Sequence, residues 1–124
     1  MFSWAHLGLV ILGGALGTAA RAGLQLAVGD ALGGWFVPVV NIVGAFALGV
    51  VTGLLARRMH APRGRVIRHF VGTGVLGGFT TYSALAVEAA HSPVLLAVGI
   101  AGAALGTAAG AIGLAVTAPR RAGA

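Results

Sequence analysis

The sequence predicts an all-α integral membrane protein with four transmembrane helices, and its composition, hydropathy pattern and charge distribution all indicate this class. Of the 124 residues, 58% are hydrophobic and only 8% are charged, whereas soluble domains carry about 25% charged residues. A soluble fold of this size would lack the polar residues to cover its surface, but lipid can cover an apolar one. The chain has no cysteine, which excludes disulfides and thiolate metal sites.

Four apolar runs follow one another, each of roughly the 20 residues needed to cross a hydrocarbon core of about 30 Å. They cover about residues 4–28, 35–56, 70–90 and 94–116. They are separated by a Gly/Asp turn at 29–34, a basic loop at 57–69 and a short turn at 91–93. No run remains for a soluble domain, so we expect residues 1–124 to form one transmembrane domain.

Glycines recur at four-residue spacing within these runs, which predicts closely packed helix faces in a membrane. The spaced glycines are Gly13 and Gly17 in the first run, Gly49 and Gly53 in the second, and Gly102, Gly106 and Gly110 in the fourth. We interpret these faces as packing surfaces and not as a ligand site.

The charges are strongly asymmetric, because eight arginines and no lysine accompany only two acidic residues. With four spans, one side of the membrane holds Arg57, Arg58, Arg63, Arg65, Arg68, Arg120 and Arg121. The positive-inside rule then predicts that both termini are cytoplasmic in a multi-pass protein of the cell membrane. Nucleic-acid binding is the alternative use of a basic loop, but its position between apolar runs favours membrane anchoring. A cleaved signal peptide is disfavoured, because Arg21 follows the first apolar stretch and does not precede it.

Polar residues inside the runs mark the candidate site, because membrane helices seldom carry them without a reason. The third run contains the string Gly77-Gly78-Phe79-Thr80-Thr81-Tyr82-Ser83. A break there would free backbone carbonyls, which are good ligands for Na⁺. A continuous helix with packing glycines and back-bonded threonines is an equally good interpretation of the residues alone.

Asn41 is the polar residue inside the second run, and its amide offers two donors that could contact an anion. The alternative is a hydrogen bond between helices. Arg21 either extends to the membrane interface or attracts anions to a vestibule. No nucleophile–base pair, phosphate loop or paired carboxylates occur, so the sequence does not predict an enzyme.

Together these motifs resemble the Fluc/CrcB family of fluoride channels over essentially the whole chain. The motifs are the glycine-rich segment ending in Arg21, the Asn41-x-x-Gly44-x-Phe46 segment, and the string from Gly77 to Ser83. The last motif is the specific one, since such a string inside a membrane span is rare.

The resemblance implies an antiparallel dimer of four-helix subunits in which the third helix is broken mid-membrane. It implies a structural Na⁺ held by the backbone carbonyls of Gly77 and Thr80, and fluoride as the transported ion, leaking passively out of the cytoplasm. The positions that match the fluoride pathway are Asn41, Thr81, Tyr82, Ser83 and Leu85, with Arg21 as a vestibule or anchoring residue.

The sequence departs from the family's pattern at the pathway. Tyr82 and Leu85 stand where the family has phenylalanine, and Ala84 stands where a threonine is usual. Seven arginines against one also oppose insertion in both orientations, which a homodimer would need. We therefore expect a heterodimer with a homologous subunit of opposite orientation, with a homodimer as the alternative.

Two other functions are compatible with this outline. One is a non-conducting partner subunit, which the loss of a ring at Leu85 favours. The other is a small proton-coupled multidrug exporter, which needs a membrane-buried carboxylate. Glu88, at the edge of the third run, is the only candidate for that carboxylate.

Overall fold

The computed structural model describes residues 3–58 and 60–120, and this part of the chain contains helices and turns but no strand. The α-helices are α1 (Trp4–Leu32), α2 (Phe36–Leu55), α3 (Pro62–Ile67), α4 (Gly77–Phe79), α5 (Tyr82–Ala89) and α6 (Pro93–Thr117). A 3-10 turn at Gly33–Trp35 joins α1 to α2, and a π-helix at Arg68–Leu76 joins α3 to α4. Arg121 lies outside the described residues.

Three helical segments are long and apolar enough to cross a membrane, which confirms a helical membrane protein. They are Trp4–Leu55, Pro62–Ala89 (the third-run segment hereafter) and Pro93–Thr117. The first has 52 residues, and one straight helix of that length would measure about 78 Å. It does not run straight, because Gly33 adopts a φ of 54° at the end of α1, a region that favours glycine.

The helix directions follow from the pairs of residues that lie against each other. These pairs are Gly13–Gly74 and Gly17–Phe79 for α1 and the third-run segment, Asn41–Thr81 and Leu48–Gly72 for α2 and that segment, and Pro38–Gly102 and Gly53–Thr117 for α2 and α6. The third-run segment is therefore parallel to α1 and antiparallel to α2, while α6 is parallel to α2. The chain accordingly reverses direction between α1 and α2.

Two predicted connections differ from the structure. The predicted turn at 29–34 is helical through Leu32, because the Gly33 N–H still bonds to the Gly29 carbonyl and closes the last turn. The predicted basic loop at 57–69 is helical from Pro62 onward, where proline stands in the first helical turn. Hydropathy predicts only the part of a helix that lies in lipid. Helix α3 lies in the charged segment before the third apolar run, so hydropathy did not predict it.

The predicted glycine faces are confirmed as helix contacts. A Cβ on Gly49 would clash with the Gly110 carbonyl oxygen, and one on Gly102 would lie 3.0 Å from the Pro38 Cβ. Gly13 lies against the third-run segment, where a Cβ would clash with the Phe70 carbonyl oxygen. Glycine therefore lets these backbones approach more closely than any larger residue would allow.

Few large side chains are buried within the single chain. Among the described residues the buried hydrophobic side chains are Phe36, Val37, Val40 and Leu55, and the first three form one cluster. Large apolar side chains such as Leu26, which is 90% exposed, cover the outer surface. A surface of this kind needs lipid or another chain to cover it.

The arginines collect at one end of the helices. The directions bring the starts of α1 and α3 to the same end as the last residues of α2 and α6, and there the rings of His6 and His69 stack 4.4 Å apart. The described arginines of this end are Arg57, Arg58, Arg63, Arg65, Arg68 and Arg120. The same helix directions put Asp30 and Glu88 at the opposite end.

Replacing Gly17 by alanine is expected to destabilise the fold by about 1–3 kcal/mol, because overpacking at a close contact costs this much. The added Cβ would clash with the Val75 carbonyl oxygen and would lie 2.9 Å from the Phe79 nitrogen. The measurement is thermal unfolding of the purified protein. Gly23→Ala is the matched control on the same helix, since a Cβ there meets nothing within 4 Å. Equal unfolding temperatures for the two variants would contradict this packing.

Candidate functional site

The third-run segment is interrupted at Thr80 and Thr81, and we call this place the 80–81 interruption. Helix α4 ends at Phe79, Thr80 is extended with φ −81° and ψ 156°, and Thr81 is extended with φ −150° and ψ 116°. Helix α5 then begins at Tyr82, with the Thr81 hydroxyl accepting from the Ala84 N–H at 3.2 Å as its N-cap.

Asn41 of α2 pairs with the backbone of Thr81 through two hydrogen bonds. Its Nδ2 donates to the Thr81 carbonyl at 2.9 Å, and its Oδ1 accepts from the Thr81 N–H at 2.8 Å. Both backbone groups of Thr81 would otherwise lose their helical partners, which is costly away from water. The second N–H of Nδ2 meets no acceptor among the described residues and is left for another ligand.

Two carbonyl oxygens beside the interruption lose the amide donors that a continuous helix would give them. Gly77 would accept from the Thr81 N–H and Thr80 from the Ala84 N–H. The first of these donors bonds instead to Asn41 and the second to the Thr81 hydroxyl. Within the described residues, neither oxygen receives another backbone donor. Uncharged oxygen ligands of this kind suit Na⁺, so the residues present fit the ion that the resemblance implies.

A groove of about 750 Å³ runs between α2, the third-run segment and α6. It brings together six of the predicted site residues, which are Asn41, Gly77, Thr80, Thr81, Tyr82 and Leu85. Most of its remaining lining is small or apolar, and further hydroxyls come from Thr52, Thr73 and Thr107. The groove therefore combines an apolar wall with a few polar groups near the 80–81 interruption.

The predicted pathway residues after the interruption have different surroundings. Tyr82 is 84% exposed and borders both this groove and a second one of about 720 Å³ near His91. Leu85 is half-buried and packs, with Ala84, against the cluster that contains Phe36. Leu85 therefore has a packing role in addition to its place in the groove wall.

The two remaining predicted residues, Ser83 and Arg21, do not line the main groove. Ser83 is exposed, and its hydroxyl lies 3.2 Å from the Thr81 hydroxyl. Arg21 is half-buried on α1, and its Nε is buried with no hydrogen-bond partner among the described residues.

Two residues at the site, Gly44 and Thr18, were not predicted as site residues from the sequence. Gly44 lies against Thr80, and a Cβ there would clash with the Thr80 Cγ2. Thr18 donates from its hydroxyl to the Gly78 carbonyl at 3.3 Å. The sequence signal that could have identified Thr18 is a hydroxyl within an apolar run, and the signal for Gly44 is its place in the Asn41-x-x-Gly44-x-Phe46 segment.

The fold and the site define a small helical membrane protein with an interrupted helix beside a groove between helices. Residues 8–118 match the family model described as "CrcB-like protein, Camphor Resistance (CrcB)". The chain therefore belongs to the CrcB family, which confirms the resemblance inferred from the motifs.

The curated relatives carry fluoride-channel names. A "Fluoride-specific ion channel FluC 2" of Leifsonia xyli subsp. xyli is 52% identical over 82 residues, which cover 64% of this chain and 57% of that protein. A protein of the same name from Thermobifida fusca is 43% identical over 98 residues, covering 73% and 71% of the two chains. A "Fluoride-specific ion channel FluC" of Chelativorans sp. is 42% identical over 88 residues, covering 68% and 69%. These names describe ion channels, in agreement with the prediction that the chain is not an enzyme.

Proposed function

We propose that this chain is a subunit of a fluoride-specific channel that lets fluoride leak passively out of the cytoplasm and so lowers its toxicity. The observation that carries the proposal is the Asn41 amide, which holds the 80–81 interruption and keeps one N–H for a ligand. The fluoride-channel names of the relatives support the same ion.

The chain crosses the cell membrane four times, and the 80–81 interruption lies near the bilayer centre. The reversal at Gly33 supports two crossings within Trp4–Leu55. Both termini are cytoplasmic, and the collection of arginines at one end supports this orientation.

Fluoride passes along the groove beside the interruption, and Asn41, Thr81, Tyr82, Ser83 and Leu85 contribute to its pathway. The free N–H of Asn41 and the hydroxyls can replace part of the hydration shell of the anion. The edge of the Tyr82 ring is the positive part of its quadrupole and can face an anion without holding it tightly. Such contacts admit the ion and still release it, as conduction requires. Arg21 of α1 raises the anion concentration in a vestibule.

The carbonyl oxygens of Gly77 and Thr80 hold a structural Na⁺. When bound, this ion would supply a fixed positive charge near the anion pathway. The diverted amide donors of Thr81 and Ala84 support this assignment, since they leave both oxygens available.

The functional unit is a dimer in which this chain pairs with a homologous subunit of opposite orientation. The open groove and the exposed apolar surface support a partner chain. The arginine asymmetry supports one fixed orientation for this chain and hence a different partner. The packing of Leu85 against the Phe36 cluster favours a second candidate function, a non-conducting subunit that completes the pathway of its partner.

Fluoride efflux from liposomes tests the proposal, with chloride efflux as the control. We expect fluoride-selective efflux when the chain is reconstituted with a homologous subunit, and none from the chain alone, because one orientation cannot form an antiparallel pair. Fluoride efflux from the chain alone would contradict the heterodimer and establish a homodimeric channel. Well-folded protein that carries no fluoride in either preparation would contradict the channel function.

A further inference from the structure

Thr18 of α1 bonds to the carbonyl that precedes the 80–81 interruption by two residues. Its Oγ1 donates to the Gly78 oxygen at 3.3 Å, across 60 residues of sequence. In a continuous helix this oxygen would accept from the Tyr82 N–H, but no such bond occurs among the described residues. Two neighbouring helices therefore hold the interruption, α1 through Thr18 and α2 through Asn41.

The close approach of α1 makes this bond possible. A Cβ on Gly78 would clash with the Gly14 carbonyl oxygen, and a Cβ on Gly17 would clash with the Val75 carbonyl oxygen. Because both faces lack side chains, the backbones meet directly, and a hydroxyl next to Gly17 can reach the Gly78 oxygen.

The bond distinguishes Thr18 from Thr80 and Thr107, whose hydroxyls bond locally, and from Thr117, whose hydroxyl lies nearer to a carbonyl of its own helix (Gly113, 2.7 Å) than to one of another helix (Val50, 3.2 Å). Thr80 donates to the Leu76 carbonyl and Thr107 to the Ala103 carbonyl, each four residues earlier in its own helix. This local bond is the usual one for threonine in a helix. Thr18 has the Gly14 carbonyl at that spacing, yet its hydroxyl bonds to another helix.

We propose that Thr18 is a positioning residue that fixes the peptide groups between Gly77 and Thr80 for cation binding. Peptide groups are planar, so holding the Gly78 carbonyl restricts the dihedral angles on either side of it. That restriction orients the Gly77 and Thr80 oxygens on which the proposed Na⁺ site depends. The inference rests on the proposed function and adds a residue of α1 to its cation site.

The test is thermal unfolding of the purified channel dimer titrated with NaCl, with choline chloride keeping the ionic strength constant. Thr18→Val removes the hydroxyl and keeps the shape of the side chain, and we expect its half-maximal Na⁺ concentration to rise about three- to tenfold. Thr18→Ser keeps the hydroxyl and should stay within about twofold of the original chain.

Thr117→Val is the matched control. The Thr117 hydroxyl shares its proton between the Gly113 carbonyl of its own helix at 2.7 Å and the Val50 carbonyl of another helix at 3.2 Å. It lies at the opposite end of α6 from the contact with α5. Its loss should lower the unfolding temperature equally at all Na⁺ concentrations and leave the half-maximal concentration unchanged. If Thr18→Val does not fold, Thr18→Ala replaces it, because the smaller side chain cannot clash at this position.

Three outcomes separate this inference from the proposed function. An unchanged half-maximal Na⁺ concentration in the hydroxyl-free variant, in a dimer that carries fluoride, overturns the role of Thr18 and leaves the channel function standing. Unfolding of the original dimer that does not depend on Na⁺ overturns both the cation site and the role of Thr18. Absence of fluoride efflux from the original dimer overturns the proposed function itself.

Discussion

Asn41→Ala is expected to lower fluoride efflux by about tenfold or more. The variant loses both hydrogen bonds to Thr81, each with a net value of about 0.5–1.5 kcal/mol. About 1.4 kcal/mol corresponds to a factor of ten in rate. The N–H and carbonyl of Thr81 are then left without partners, and the amide donor proposed for the anion is lost as well. The measurement is fluoride efflux from liposomes that contain the reconstituted dimer.

The matched control is Val43→Ala, two residues further along α2. Val43 is 54% exposed and does not line the groove, so its truncation removes no contact with the 80–81 interruption. We expect efflux from the control to stay within about twofold of the original rate, as for other surface substitutions. Equal efflux from Asn41→Ala and the original chain would show that Asn41 is dispensable for both the structure and the pathway.

Gly44→Ala is expected to have the second largest effect, because it acts on Thr80 through a single added methyl group. The new Cβ would clash with the Thr80 Cγ2. Thr80 is β-branched and its hydroxyl is held by the Leu76 carbonyl at 2.9 Å, so its side chain cannot rotate away without losing that bond. We expect about 1–3 kcal/mol of destabilisation and a roughly tenfold loss of fluoride efflux.

Gly8→Ala serves as the control for the glycine substitution. It lies on α1, where a Cβ meets nothing within 4 Å. Thermal unfolding and fluoride efflux are measured for both variants in the same lipid. If Gly44→Ala unfolds and conducts like Gly8→Ala, the contact between α2 and Thr80 does not constrain the site.

These two variants probe the same place from one helix, because α2 provides both the hydrogen-bonding amide and the glycine that admits Thr80. Thr18 acts from α1 on the other side of the third-run segment. The interruption is thus held from two directions, and the chain around it has little freedom to return to a continuous helix. The amide donors of Thr81 and Ala84 are bonded elsewhere, so their helical acceptors remain available for a ligand.

Much of the candidate site could be predicted from the sequence, but its internal contacts could not. Membrane helices rarely contain an amide or a Gly-Gly-x-Thr-Thr string, so Asn41 and the residues from Gly77 to Thr81 were identified directly. The residues left open whether Asn41 serves an anion or another helix, and whether the third helix is interrupted. In the structure Asn41 bonds to Thr81, and the helix is interrupted there. The amide keeps a second N–H, and the efflux test decides whether this N–H contacts the anion.

The sequence by itself determined the helical membrane class, the apolar segments, the collection of arginines at one end and the glycine faces. These properties depend on composition and local spacing, which any segment of the chain carries without its neighbours. Only the tertiary structure decided that α1 continues to Leu32, that Asn41 pairs with Thr81, and that Thr18 holds the Gly78 carbonyl. The two side-chain contacts join residues 40 and 60 positions apart. Such contacts form because every backbone N–H and carbonyl that loses its helical hydrogen bond within a membrane needs another partner. Which helix lies close enough to supply that partner is known only from the fold.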